Sequence, residues 1–358
     1  MRRGLTIAFF GSSLVSAYWN GAATYYRGIV RALHENGHQI TFYEPDAYDR
    51  HAHRDIPDPP WARVVVYSSA SKEAVYRVLQ EARGADLIIK ASGVGVFDAL
   101  LERAVIEMRR VGALAVFWDV DAPATLDRIL RNPDDSFRQL ISRYDLILTY
   151  GGGEPVVKAY AALGAKACIP IYNALDPSTH YPVAPDARFA ADLGFLGNRM
   201  PDREARVEEF LFRAAREAPE CRFLLGGNGW DSCPMPPNIT YIGHIYTYDH
   251  NAFNCSPRVI LNINRASMAR YGFSPPTRIF EAAGVGACLI TDAWEGIECF
   301  LEPEHEVIIV HDGSQLAERL RVLTPARACA IGAAARRRLL AEHTYRHRAE
   351  QLAALLTP

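Results

Sequence analysis

Neither sign of charge is in excess: 39 Lys and Arg stand against 41 Asp and Glu, a net charge of −2. A chain so balanced has no global pull toward nucleic acid or an anionic membrane, and neither is expected as a partner. Any anion it binds must be held by arginines placed locally. Long apolar runs are lacking too. No segment approaches the roughly 20 apolar residues of a membrane span, so no integral membrane association is expected. The opening MRRGLTIAFFGSS has the arginine pair of a signal peptide. Its apolar run, 5–10, is shorter than the roughly 7–15 residues of a secretory core, and a buried first strand is expected instead. There is no Cys-x-x-Cys among the seven cysteines, whose number is odd. That usage excludes a disulfide framework and suits the reducing cytoplasm, with cysteine as a small core residue. His51 and His53 have no acidic or cysteine partner nearby, and His343 and His347 have no third ligand, so no metal site is expected. Signatures of a nucleophilic serine, a catalytic cysteine and a P-loop are also missing.

What is present is length and alternation. A chain of 358 residues, 49% hydrophobic, suits two units of roughly 150–180 residues, each able to bury a core. Short runs that are apolar throughout occur at 5–10, 40–43, 64–67, 87–90, 113–118, 146–149 and 167–171. Helical patterns lie between them at 22–35, 72–83, 96–111 and 154–163. Strands apolar on both faces and joined by helices predict a parallel sheet covered on both sides. Residues 173–188 carry three prolines and no period, as an interlobe connection would. Strands are then expected at 191–196, 221–225, 239–242, 259–263, 287–291 and 307–310, with helices at 203–218, 277–284, 314–323 and 326–342. The fold class is α/β, with two Rossmann-like doubly wound lobes facing a cleft. The expected boundaries are 1–172, a connection at 173–188, 189–342, and a final helix at 343–358 that can cross back to the first lobe. Ligands of such sheets bind beyond the carboxyl ends of the strands.

In the first lobe three loops follow strands. Gly11, Ser12 and Ser13, with Gly21 opening the next helix, let a backbone approach a ligand, or simply connect strand to helix. The loop is not a Gly-x-Gly-x-x-Gly turn. Asp119 and Asp121 follow the strand ending at Trp118. One can serve as general base toward an acceptor hydroxyl, while Asp121 can equally cap the next helix and Asp119 bond the backbone. Gly151 and Gly152, just after Tyr150, either leave room for a ligand or serve conformation alone.

The second lobe is richer. Gly197, Asn198, Arg199 and Arg203 form a glycine turn with arginines at the mouth of a strand and helix, which suits a diphosphate. Arg206 reads as part of a solvated helix face. Asn228, Gly243 and His244 end the next two strands and can wall a base. Between 262 and 291, Arg265, Arg270 and Arg278 surround a Ser-Pro-Pro loop that opens a helix. Glu281 follows Arg278 by one turn, positioned either to take both hydroxyls of a ribose or to form a surface ion pair.

The stretches WDVDAPATL, LTYGGGEPVV, IYNALDP, FLGNRMPDREARVEEF, LLGGNGW, GHIYTYDHNAFN and SMARYGFSPPTRIFEAAGVGACLITD resemble the spore-maturation-protein CgeB-like glycosyltransferases, of the broad GT-B superfamily. The likeness implies a nucleotide-sugar donor on the second lobe, an acceptor on the first, and no essential metal. It aligns Glu281 with the second glutamate of the retaining GT-B signature; the first falls at Phe273, which is not acidic. Asn198 and Arg199 match a segment that touches the diphosphate in related enzymes. The expected activity is metal-independent transfer of a sugar from a nucleoside diphosphate, uridine or thymidine, to a hydroxyl of a small molecule, glycan or protein, without a cofactor. A sugar-nucleotide epimerase and a non-catalytic nucleotide-sugar-binding protein are the alternatives.

Overall fold

Strand pairing is parallel throughout, as the two-sided burial of β-rich apolar runs requires. The computed structural model describes residues 4–18 and 20–356; the arginine pair ahead of the first strand lies outside them. The chain divides into two units. One is formed by residues up to Asn173 together with the segment from Tyr345 onward, the other by Ala174–Thr344.

The first unit runs β1 (Thr6–Phe10), α1 (Ala23–Glu35), β2 (Gln39–Asp46), β3 (Arg63–Ser68), α2 (Lys72–Ala82), β4 (Leu87–Ala91), α3 (Asp98–Glu107), β5 (Leu114–Asp119), α4 (Ala122–Arg131), β6 (Leu146–Thr149), α5 (Gly153–Ala162) and β7 (Cys168–Pro170). Its sheet has the order β3-β2-β1-β4-β5-β6-β7. The direction of winding therefore reverses between β1 and β4, the place where open α/β sheets bind ligands.

The second unit runs β8 (Leu193–Leu196), α6 (Pro201–Val207), a π-helical stretch (Glu208–Phe212), α7 (Arg213–Glu217), β9 (Phe223–Gly226), β10 (Ile239–Tyr241), α8 (His250–Cys255), β11 (Val259–Asn262), α9 (Ala266–Tyr271), α10 (Thr277–Gly284), β12 (Leu289–Asp292), β13 (Ile308–Val310), α11 (Gly313–Val322) and α12 (Pro325–Glu342). Its order, β10-β9-β8-β11-β12-β13, puts the reversal between β8 and β11. The core is built from the apolar positions of these strands with Phe212, Trp230, Leu316 and Ile331. A last helix, α13 (Tyr345–Leu355), packs in the first unit. Gly28 on α1 makes room for the Tyr345 ring, which a Cβ there would strike at 2.1 Å.

Local chemistry explains several boundaries. Ser71, Asp312 and Thr324 each cap a helix by accepting a backbone N–H, and Pro325 starts α12 where its missing donor costs nothing. The helix expected at 203–218 is interrupted by the π-helical stretch, a feature that periodicity over so few residues cannot reveal. Helices α8 and α9, of six residues each, were likewise too short to show a period. From Ala174 the proline-rich stretch packs on the second unit: Leu175 bridges to Thr344 and fills the space above Gly284.

Candidate donor site and the polar loops of the first unit

The reversal point of the second unit is where the loops after β8 and β11 meet. Gly197 donates its N–H to the Gly226 carbonyl, Asn198 accepts the Asn228 N–H at 2.9 Å, and Arg199 donates its N–H to the Asn228 carbonyl. Gly227, at φ +118°, continues the lacing by donating to the Gly243 carbonyl at 2.7 Å. The three loops after β8, β9 and β10 thus form one hydrogen-bonded layer. The Trp230 indole donates to the Gly197 carbonyl from beneath, with its ring in the core, so it supports the layer and cannot wall a base. His244, an exposed residue, stands 3.5 Å from the Asn228 amide and edge-on to Tyr246, and partial desolvation lowers its pKa.

Beside this layer the structure gathers Arg203, Arg265 and Arg278. Arg203 is pushed down to about 10, first by burial and then by the guanidinium groups of Arg265 and Arg278. Asp202 and Asp292 offset this only in part. Arg265 pairs with Asp202 at 2.6 Å. Arg278 donates to the Leu196 carbonyl at 3.1 Å and lies 3.3 Å from Glu281, one helical turn on. Several donors around this point have no partner: Nε of Arg203, Nε of Arg206, and the side-chain amides of Asn254 and Asn264. Three cations held close, over unused buried donors, make a place where an oxyanion is stabilised by charge and by hydrogen bonds together.

Glu281, 6% exposed, is no surface ion pair. Burial alone would raise its pKa, yet Arg278, His180 and His250 together hold it below the ordinary carboxylate value. Burial drives His250 down to about 4, so this ring is neutral at physiological pH and its Nε2 contacts the Ile245 carbonyl at 3.2 Å. Neither histidine was legible as a site residue: His180 sits in the proline-rich stretch and His250 starts a six-residue helix.

Other expectations divide. Arg199 pairs with Glu204 at 2.5 Å on the surface side, and Arg270, at the far end of α9 from Arg265, lies over the Tyr271 ring, 5.5 Å from its centroid. Arg206 is not the solvated residue its helix position suggested: it pairs with Asp292, which is wholly buried at the end of β12. Asp292 also accepts the Asn264 N–H, and Asn262 donates to Asn264 and Thr291, each at 3.0 Å. No sequence spacing announces this network, because its members are up to 86 residues apart.

In the first unit Asp119 is fully buried and saturated. It accepts the Thr125 hydroxyl at 3.0 Å, the Tyr160 hydroxyl at 2.5 Å and the Asp121 N–H at 3.1 Å. Burial raises its pKa, and these bonds work against that. Its geometry is that of a latch joining β5 to α4 and α5. Asp121 is only partly buried and its side chain does not cap α4, so helix capping does not account for it. The loop after β1 is closed on itself. Ser12 donates to the Asn20 side chain, Asn20 donates to the Ser13 and Ser16 carbonyls, and the buried Glu44 accepts the Ser13 hydroxyl and the Leu14 N–H. Gly11 is needed because the Phe42 ring lies 2.4 Å from where a Cβ would be, a packing role. Gly21 meets nothing within 4 Å. Gly152, at φ +89°, sets the entry to α5, while Gly151 is buried.

With both reversal points described, comparison with known proteins is informative. The sequence model of the family described as Glycosyl transferase-like matches residues 203–354. The fold is GT-B. Among similar solved structures, sucrose-phosphate synthase of Thermosynechococcus elongatus has a TM-score of 0.69 at 16% identity, covering 99% of this chain and 98% of that one. HepE of Anabaena, solved with UDP and glucose, has a TM-score of 0.71 at 12% identity, covering 98% and 99%. The T4 phage BGT, solved with UDP-glucose, has a TM-score of 0.61 at 12% identity, covering 98% of each chain. No curated protein matches the chain in sequence. The matched segment takes in most of the second unit, and Arg203, Arg265, Arg278 and Glu281 lie inside it. Among the described residues no helix is long and apolar enough to cross a membrane, and no three His, Cys, Asp or Glu side chains are placed to hold a metal.

Proposed function

We propose that this glycosyltransferase-like chain moves a sugar from a nucleoside diphosphate, uridine or thymidine, to an acceptor hydroxyl. The observation that carries the reading is the group of Arg203, Arg265 and Arg278 with buried Glu281 at the β8/β11 reversal point. In this reading the diphosphate lies against the arginines and the ribose hydroxyls against Glu281. The structures of HepE with UDP and glucose and of T4 phage BGT with UDP-glucose favour a uridine donor.

In the proposed reaction the acceptor oxygen forms a bond to the anomeric carbon as the bond from that carbon to the diphosphate breaks. The electron pair leaves with the diphosphate, where the three guanidinium groups stabilise the developing charge and take the part a metal plays elsewhere. Asp121 is assigned the acceptor's proton, and Asp119 positions it through the bond to the Asp121 N–H. Phe273 stands where the retaining signature has its first glutamate, which leaves Glu281 a binding role in this scheme. We assign the chain to a CgeB-like branch and to a reducing, cytoplasmic setting, in keeping with its seven unpaired cysteines.

Thermal unfolding with added nucleotides tests the donor assignment. UDP or dTDP should raise the melting temperature with concentration, by about 2.7 kcal/mol of stability at a hundred times its dissociation constant. Stabilisation by NAD with none by a nucleoside diphosphate would sink the assignment.

A further inference from the structure

The reversal point of the first unit holds a buried cation that has no ion-pair partner among the described residues. Arg50 is 8% exposed. Its guanidinium donates to the Ser12 carbonyl at 3.3 Å and lies 5.0 Å from the centre of the Tyr48 ring. Neither contact carries negative charge, the Nε is buried without a partner, and no carboxylate among the described residues is within ion-pair distance of it. Glu44, the one carboxylate whose charge reaches Arg50, is occupied by the Ser13 hydroxyl and the Leu14 N–H. Lys90, buried in β4 of the same unit, has Asp98 and Glu102 beside it. Burying a cation without a counter-charge is costly, and the fold avoids that cost at Lys90 but not at Arg50.

Arg50 also sits where a ligand is expected. Ser12 belongs to the loop after β1, and the Tyr48 hydroxyl donates at 2.7 Å to the Gly95 carbonyl in the loop after β4. Tyr48 and Asp49 adopt left-handed φ of 58° and 55°, and Phe97 one of 56°. Non-glycine residues hold such angles only where surroundings impose them. The two loops that flank the reversal are thus braced, and Tyr48 keeps more than half its surface exposed beside the buried cation.

We propose that Arg50 forms an oxyanion subsite that takes a phosphate or carboxylate group carried by the acceptor. That the anion belongs to an acceptor rests on the transferase reading above; that Arg50 binds an anion does not. A guanidinium fork matches either group. The test follows the arginine Nε–H resonances of the full-length protein by NMR, with the Arg50 signal identified by its absence in Arg50→Gln. Inorganic phosphate is titrated in one arm and acetate in another, first without nucleotide and then with UDP at saturation to occupy the arginines of the second unit. The Arg50 signal should shift saturably with at least one ion in both conditions, the tighter ion naming the group. Read from the backbone amide shifts of Ser12 and Tyr48, which all three proteins retain, Arg50→Gln should weaken that ion roughly ten- to a hundredfold, and Arg50→Lys less, with circular dichroism and melting showing both variants folded. An Arg50 signal unmoved by both ions, or equal affinity in Arg50→Gln, overturns the proposal. If UDP fails to bind, the donor reading fails, while the nucleotide-free titrations still decide the fate of Arg50.

Discussion

Arg278 and Glu281 are each other's compensation as well as the proposed donor contacts. Arg278→Ala and Glu281→Ala should each weaken nucleotide binding by roughly 1.5–3 kcal/mol, the scale of a charged hydrogen bond. Asp121→Asn should leave that affinity alone and lower turnover by about 10²–10⁴-fold, the range for a general base. Calorimetric affinity beside turnover for the three variants checks this, and normal affinity in both second-unit variants would remove the donor site. His250 makes a separate prediction. Its folded pKa, about 4, lies below its ordinary value near 6.5 because burial disfavours the imidazolium. The unfolded chain therefore takes the proton more readily, so the contribution to stability is whole above about pH 6.5 and is lost as pH falls toward about 4. Denaturant unfolding across that range should show a shallower decline for His250→Gln than for the native chain; identical slopes would count against it. Arg278, Glu281 and Arg203 were legible as residue types on one segment or turn. His180, His250 and Arg50 were not, since a histidine or arginine in a polar loop reads as solvated until its burial is known.

The elements that matter most are the loops rather than the strands that carry them. Gly227 combines a φ of +118° with a backbone carbonyl, that of Gly197, only 2.3 Å from where a Cβ would stand. Gly227→Ala should therefore cost at least about 1–3 kcal/mol and, by displacing the Gly197 turn, weaken nucleotide binding as well. Gly21→Ala, with nothing within 4 Å, should stay within about 0.5 kcal/mol of the native chain. Chemical denaturation of the two variants distinguishes them, and equal midpoints would mean that the layered loops are not rigid. Strands such as β4 and β11 were plain in the sequence because burial on both faces leaves an unbroken apolar run. The interlacing of three loops left no such trace, because backbone hydrogen bonds do not depend on side-chain identity.

Over the whole molecule, two sheets of the same winding give two reversal points, and each has an arginine whose buried Nε is unpartnered, Arg50 at the first and Arg203 at the second. If arginines stand in for a metal at the second of these, turnover should persist in EDTA. Loss of activity restored by manganese or magnesium would return Asp119 and Asp121 to consideration as ligands. Composition and periodicity determined by themselves that the chain forms parallel α/β units, and that anion binding would depend on a few arginines, because both follow from hydrophobic spacing and net charge. Tertiary structure decided which arginines meet. Arg199 is drawn off by Glu204 and Arg206 by Asp292, while Arg203, Arg265 and Arg278 converge. It likewise turned Asp119 into a saturated latch and left Arg50 without a counter-ion. Pairing and desolvation are set by distances between residues far apart in the chain, and those distances exist only once the sheets have closed.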